Sequence, residues 1–218
     1  MGNFRDLCGL QPTERVLDVG SGTGRMAIPL TTYLTSGTYA GLEIVGESVR
    51  WCQRAYGRHP NFRFHHADVR NDRYNPRGQT PASEYRFPFD SGTFDFAFLT
   101  SVFTHLLPAA TVNDLSEVTR VLRPGGHALI TYFLLSDETA TLIASGRIAH
   151  TFAHEFGCCR VDVPSVAEAA VAFSQTRVRE MHAAAGLPVE SVRCGAWSGR
   201  TDGLSWQDIT ISIKTISS

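Results

Sequence analysis

Apolar runs and turn signals alternate along the chain in the manner of repeated strand–helix units. Arg15-Val16-Leu17-Asp18-Val19 reads as a short apolar strand that breaks at Gly20-Ser21-Gly22-Thr23-Gly24. Met26, Ile28, Leu30, Tyr33 and Leu34 then carry a helical spacing, stopped by Ser36-Gly37, with Pro29 about one turn in. Thr38 to Leu42 is a second strand ending at Glu43, and Val49, Trp51, Cys52 and Tyr56 supply a second helix closed by Gly57. Asn61 to Phe64 is a third strand, running out at His65-His66-Ala67-Asp68. Residues 69–92 hold little periodicity and read as a long loop, a feature that is often functional in a compact domain. Phe94 to Leu99 is a nearly continuous apolar strand, as expected where helices cover both faces of a parallel sheet. Val112, Leu115, Val118, Val121 and Leu122 predict a helix that Pro124-Gly125-Gly126 terminates, and His127 to Leu135 is a fifth strand. Residues 137–172 are irregular. Regularity returns with a helix over Phe173–Ala185 and two closing strands, Val189–Cys194 and Ile209–Ile213. The strict alternation up to residue 135 predicts an α/β, doubly wound sheet in a single domain over 1–218.

Composition narrows the partners. The 218 residues carry 20 basic and 21 acidic side chains, so the electrostatic excess that nucleic acids demand is missing and no nucleic-acid partner is expected. At 43% hydrophobic and 19% charged, the chain has enough apolar surface to bury a core. Its longest uncharged run lies between Asp95 and Asp114 and contains Thr100, Ser101, Thr104, His105, Pro108 and Asn113, which is too polar for a membrane span. The N-terminal residues lack a basic stretch leading into an apolar one, so neither a signal peptide nor a membrane partner is expected, and a cytoplasmic location is. Five scattered cysteines, an odd number, fit free thiols in a reducing compartment better than a disulfide framework, and no metal site is expected.

The turn after the first strand carries the most chemistry. Glycine lets backbone approach a ligand closely and supplies positive φ where the turn needs it. A dinucleotide fingerprint would place its third glycine at position 25, which is Arg, so the spacing leans away from a pyrophosphate site. Glu43, at the end of the second strand, is placed to accept hydrogen bonds from two vicinal ribose hydroxyls. Asp68, past the third strand, offers an acceptor to an adenine amino group, and Val69 offers its backbone N–H to the ring.

Residues 16–24, Glu43, Ala67-Asp68-Val69, Phe87-Pro88-Phe89 ahead of Phe94-Asp95, and Arg120-Val121-Leu122-Arg123-Pro124-Gly125-Gly126 resemble class I S-adenosylmethionine-dependent methyltransferases in order and spacing. The stretch Thr100-Ser101-Val102-Phe103-Thr104-His105-Leu106 further resembles bacterial small-molecule members of that family. The resemblance implies a Rossmann-like seven-stranded sheet, mostly parallel with one antiparallel strand near the C-terminus. It implies that Asp18 and the turn Gly20, Ser21, Gly22 and Gly24 hold the methionine end of S-adenosylmethionine. Glu43 would take the ribose hydroxyls, Ile44 would pack on the adenine, Asp68 and Val69 would read its edge, and Thr100 and Ser101 would lie below the sulfonium. The expected products are S-adenosylhomocysteine and a small molecule methylated at oxygen or nitrogen, with the protein a monomer or homodimer.

Relatives often have helices before the first strand that close over the acceptor. Here about fourteen residues precede it, which makes 137–172 the candidate lid. A hydroxyl or acidic nucleophile needs its proton removed, and His105 is the candidate base, with helix-start packing as the alternative role. His150 and His154 lie four apart and would share a helix face; Tyr132, Trp197 and Trp206 either stack on an acceptor or fill the core. Two other functions stand beside methyl transfer: a nicotinamide-dependent oxidoreductase, and a non-catalytic module that binds an adenosyl cofactor.

Overall fold

The structure, a computed structural model, describes residues 2–146, 148 and 150–216. In chain order the first half comprises α1 (Gly2–Cys8), β1 (Arg15–Val19), α2 (Leu30–Tyr33), β2 (Thr38–Glu43), α3 (Gly46–Ala55), β3 (Phe62–His66), the short pair β4 (Val69–Arg70) and β5 (Thr80–Pro81), and β6 (Phe94–Leu99). It continues with α4 (Pro108–Val121), β7 (Leu122–Leu135), α5 (Asp137–Ala144), β8 (His154–Phe156), β9 (Cys159–Val161), β10 (Val171–Ser174), α6 (Gln175–Ala184), β11 (Val189–Arg193) and β12 (Asp208–Ile213). Strands β3-β2-β1-β6-β7 run parallel in that spatial order. β12 lies antiparallel to β7, and β11 antiparallel to β12, which completes the expected seven-stranded sheet.

The sheet then extends beyond seven. β7 is fourteen residues long and outruns its neighbours, pairing with β6 as far as Ile130 and with β12 as far as Tyr132. Its free end, Phe133 to Leu135, takes β10 as a parallel partner, and the β8–β9 hairpin follows antiparallel. Period-two alternation divides the core between the two faces. Leu17, Val19, Ala97 and Leu99 face Leu115, Val118 and Val121 of α4, while Val16, Phe96 and Phe98 face Phe4, Leu30, Val49 and Cys52. A third cluster of Phe133, Phe152, Ala170, Ala172 and Trp197 anchors the added strands.

Four expectations are corrected. The helix over 26–34 shrinks to α2, because Gly22 and Gly24 take positive φ and the chain descends through three-residue turns (Gly24 N to Ser21 O, Ala27 N to Gly24 O, Leu30 N to Ala27 O). Pro29 has no N–H to continue such a ladder, and Ile28 is left exposed. Pro124-Gly125-Gly126 lies inside β7, where Gly125 takes φ +71° and donates to Lys214 O. Phe173 belongs to β10, and α6 begins only after the Ser174 side chain caps Arg177 N. His154 sits on β8 and His150 in no helix, so the two share no helix face.

Candidate active site

Two cavities open at the C-terminal ends of the parallel strands, where open α/β sheets place ligands, and they meet at the glycine turn. Gly20, Gly22, Thr23 and Ser101 line both. The first, about 360 Å³, runs from Glu43 and Ile44 over Val69 to Tyr85, Phe87, His105 and Asp114. The second, about 670 Å³, is bounded by Asp18, Ser21, Arg25, Thr100, Thr131, Trp206 and Gln207.

Steric demand explains the turn. Gly20 has φ +76°, and a Cβ there would lie 2.4 Å from Val102 Cγ2. Gly24 has φ +75°, and its Cβ would meet the Tyr56 ring at 2.8 Å. Four of the turn's N–H groups are engaged within the fold: Gly20 and Ser21 donate to Leu42 O, Gly22 to Glu43 Oε2 at 2.7 Å, and Gly24 to Ser21 O. Among the described residues the Thr23 N–H meets no acceptor, and Thr23 lines both cavities.

The two acids of the site are built differently. Glu43 is buried at the end of β2, and its second oxygen accepts from Val45 N at 2.8 Å, so one carboxylate ties the glycine turn to the start of α3. Asp18 on β1 is fully buried; its Oδ2 accepts from Tyr39 Oη at 2.6 Å, and its Oδ1 has no partner among the described residues. Burial pushes the Asp18 carboxyl up to about 7, against the pull of the Tyr39 hydroxyl and with Glu43 adding to the rise. Ser21 Oγ, also buried, is likewise without a partner among the described residues. Such orphaned buried groups are costly unless something meets them.

At the floor, Ser101 takes φ +59°, a left-handed conformation uncommon outside glycine. Its N–H donates to Thr131 Oγ1 at 2.8 Å and its hydroxyl to Gln207 Oε1 at 3.0 Å. Gln207 Oε1 also accepts from Thr131 Oγ1 at 2.7 Å. Thr100 lines the second cavity beside it. Gln207 and Tyr39 went unremarked in the sequence, because nothing local ties Gln207 to a serine 106 positions earlier.

His105 lines the first cavity, and its Nδ1 lies 3.0 Å from Glu168 O. A carbonyl can only accept, so Nδ1 carries the proton and Nε2 keeps its lone pair. Burial lowers the pKa of this imidazole. Val69 also lines the cavity, yet its N–H donates to Ala67 O at 2.8 Å. The in–out alternation past β3 buries Ala67 and Val69 and leaves Asp68 exposed, close enough for its charge to raise the pKa of Tyr85, which lines the cavity. Tyr132 and Trp197 are fully buried, held by His182 and Asp208 respectively, and fill the core. Trp206 is exposed at the mouth of the second cavity. His150 pairs through Nδ1 with Asp162. Among the described residues no three His, Cys, Asp or Glu side chains gather as metal ligands, and no helix is long and apolar enough to cross a membrane.

A family model described as a methyltransferase domain matches residues 17–130, just over half of the chain and the stretch that builds the glycine turn, Glu43 and His105. The chain belongs to that family. It is of the class I, S-adenosylmethionine-dependent kind, and S-adenosylmethionine is the cofactor that membership carries. Among curated relatives, a phthiotriol/phenolphthiotriol dimycocerosates methyltransferase of Mycobacterium ulcerans is 32% identical over 58% of this chain and 40% of its own. A fatty-acid O-methyltransferase of Mycolicibacterium smegmatis is 33% identical over 54% of this chain and 36% of its own. The chain thus spans well under half the length of these relatives. Among solved structures, a SAM-dependent methyltransferase from Methanosarcina mazei superposes with a TM-score of 0.65 at 18% identity, covering 95% of both chains. The 1,6-didemethyltoxoflavin-N1-methyltransferase of Burkholderia thailandensis, solved with 1,6-didemethyltoxoflavin and S-adenosylhomocysteine, gives 0.62 at 18% identity over 97% of this chain and 75% of that one. At this identity the two structures speak for the fold. Membership decides against the nicotinamide-dependent oxidoreductase.

Proposed function

We propose that the protein transfers a methyl group from S-adenosylmethionine to an oxygen or nitrogen of a small-molecule acceptor. The observation that carries the reading is the pair of orphaned buried groups, Asp18 Oδ1 and Ser21 Oγ, beside a glycine turn whose other flank is Glu43. An acceptor-only carboxylate oxygen and a hydroxyl suit the ammonium and carboxylate of an amino-acid tail, and Glu43 suits a ribose diol. Bound S-adenosylmethionine supplies a methyl group already activated by its sulfonium. The protein's own part is then alignment and desolvation.

In this reading Asp18, Ser21 and the turn seat the methionine end in the second cavity. Glu43 and Ile44 seat the adenosine in the first, and Thr100 and Ser101 form the floor between them. His105 Nε2 accepts the acceptor's proton, its ring fixed by the Glu168 carbonyl and lined by the edge of Tyr74 at 6.0 Å. Residues 137–172 act as the lid within a single domain. Glu168 fastens that segment to the cofactor half twice, through its carbonyl to His105 and through its carboxylate to Asn71 Nδ2 at 2.8 Å. Relatives named for phthiotriol/phenolphthiotriol dimycocerosates, fatty acids and 1,6-didemethyltoxoflavin support a small-molecule acceptor. The five free cysteines support a reducing, cytoplasmic setting.

Titration calorimetry with S-adenosylmethionine, S-adenosylhomocysteine and NAD tests the cofactor assignment, and transfer of a labelled methyl to a panel of small hydroxyl and amine compounds tests catalysis. Saturable binding of the first two without NAD, followed by label transfer, is expected. Binding without transfer to any compound would favour the non-catalytic module.

A further inference from the structure

The methionine end of the cofactor leaves much of the second cavity unfilled. From the sulfonium methyl outward it has about nine non-hydrogen atoms, and even at ~30 Å³ each, the share of a water molecule in the liquid, they occupy under half of the cavity's 670 Å³. Asp18 and Ser21 follow β1 at one side of the space. Across β6 from them lie Thr131 on β7 and Trp206 and Gln207 ahead of β12. Beneath is an apolar floor of Phe4, Met26, Leu129 and Ile209.

Two side chains of this cavity have no task in the fold. Arg25 stands where a dinucleotide fingerprint would have its third glycine, and it is exposed on the cavity lining. Arg15, Arg120, Arg123 and Arg200 all pair with acids, whereas Arg25 pairs with none among the described residues. The methionine carboxylate does not require it, because the Ser21 hydroxyl and the Thr23 N–H are both unpartnered among the described residues and lie in the turn itself. Trp206 is 56% exposed at the cavity mouth, and its indole N–H meets no acceptor among the described residues. Its loop is nonetheless fixed: Ala196 N donates to Ser205 O at 2.8 Å, and the buried Trp197 donates its N–H to Trp206 O at 2.9 Å. An exposed indole on an anchored loop is a platform for a flat ring, and an unpaired guanidinium is a planar fork for a carboxylate.

We propose that the second cavity seats the acceptor, and that the acceptor is an aromatic carboxylic acid whose ring lies against Trp206 and the apolar floor while its carboxylate pairs with Arg25. The inference rests on the cofactor reading of the previous subsection and names the acceptor class for that site. The carboxylate is an anchor and keeps its charge. A hydroxyl or amine elsewhere on the ring reaches the junction of the cavities beside Gly20 and Ser101. There its oxygen or nitrogen bonds to the methyl carbon, the electron pair of the broken S–C bond stays on sulfur, and the proton passes to His105 Nε2.

The test measures binding of 4-hydroxyphenylacetate and 3-hydroxybenzoate, each against its neutral carboxamide, to the full chain loaded with S-adenosylhomocysteine at low salt. At least one acid should bind wild type about ten-fold tighter than its amide, the scale of a charge-assisted hydrogen bond. Arg25→Gln, and Arg25→Ala beside it, should bring that ratio near one and leave S-adenosylhomocysteine affinity within about two-fold. Trp206→Ala should weaken acid and amide alike and preserve the ratio. Where an acid of the pair accepts labelled methyl, the label should survive the mild alkali that cleaves a methyl ester. The proposal is overturned if neither acid binds, if the preference persists without Arg25, if Trp206→Ala weakens neither compound, or if the label is lost to alkali. A loss of S-adenosylhomocysteine binding in the Arg25 variants also overturns it, by giving Arg25 to the methionine carboxylate. Failure of wild type to bind S-adenosylhomocysteine at all would instead overturn the cofactor reading beneath it.

Discussion

The two cavities that meet at the glycine turn each hold one acid beside that turn, and these two acids are in opposite states. Glu43 is already satisfied: both of its oxygens accept backbone N–H bonds, and it serves as a strut between the turn and α3. Asp18 is half served, one oxygen held by Tyr39 and the other bare. The first cavity is thus preorganised without ligand, whereas the second holds an unmet demand that an ammonium group would fill. Rigidity on one side and unspent electrostatics on the other is a sensible division for a ligand with a bulky neutral end and a small charged one.

The turn itself is the most sensitive point of that contrast. Gly20→Ala places a Cβ 2.4 Å from Val102 Cγ2 at φ +76°, and should cost about 2–4 kcal/mol of stability through strain and overlap, with loss of S-adenosylhomocysteine binding. Adding Val102→Ala removes the overlap and leaves the strain, so thermal melts should show partial recovery; full recovery would mean that φ costs nothing here. Glu43→Ala should weaken S-adenosylhomocysteine binding by about 1.5–3 kcal/mol, since it removes charge-assisted bonds and frees the turn. Calorimetry reads this directly, and unchanged affinity in a folded variant would take Glu43 out of the site.

Asp18 supplies a pH signature. Its folded pKa of about 7 lies above the ordinary carboxylate value of about 3.9, so its contribution to stability is complete below about pH 4 and is lost as pH rises through 7. An ammonium beside Oδ1 favours the ionised form, so binding near pH 6.5 should expel a proton. Calorimetry in buffers of different ionisation heat should show wild type releasing more protons than Asp18→Asn. Equal release would break the contrast between the acids. The smallest effect is expected at the floor, where Gln207→Ala loses its bonds to Ser101 and Thr131, lowering stability by about 1 kcal/mol and the melting temperature by about 2–4 °C.

The cofactor half was largely legible in the sequence because its chemistry sits at strand ends that hydrophobic alternation locates. Val16 to Val19 must be a strand, so the glycines after it must form the turn, and Glu43 follows by the same logic. The legible stretch also coincides with the family match, which ends at Ile130. What stayed hidden depends on contacts distant in sequence. Gln207 meets Ser101 only because β12 lies against β7. Met26–Leu34 has helical spacing, but local turn geometry overrides it, and β10 through β8 form only because β7 outruns its partners and leaves an edge to be covered.

The most direct measurement is a crystal structure of the full chain with S-adenosylhomocysteine. The account predicts the ligand lying across the glycine turn, its amino group within hydrogen-bond distance of Asp18 Oδ1 and its ribose hydroxyls on Glu43. A ligand bound in the reverse sense, or bound with Asp18 still unpartnered, would contradict it.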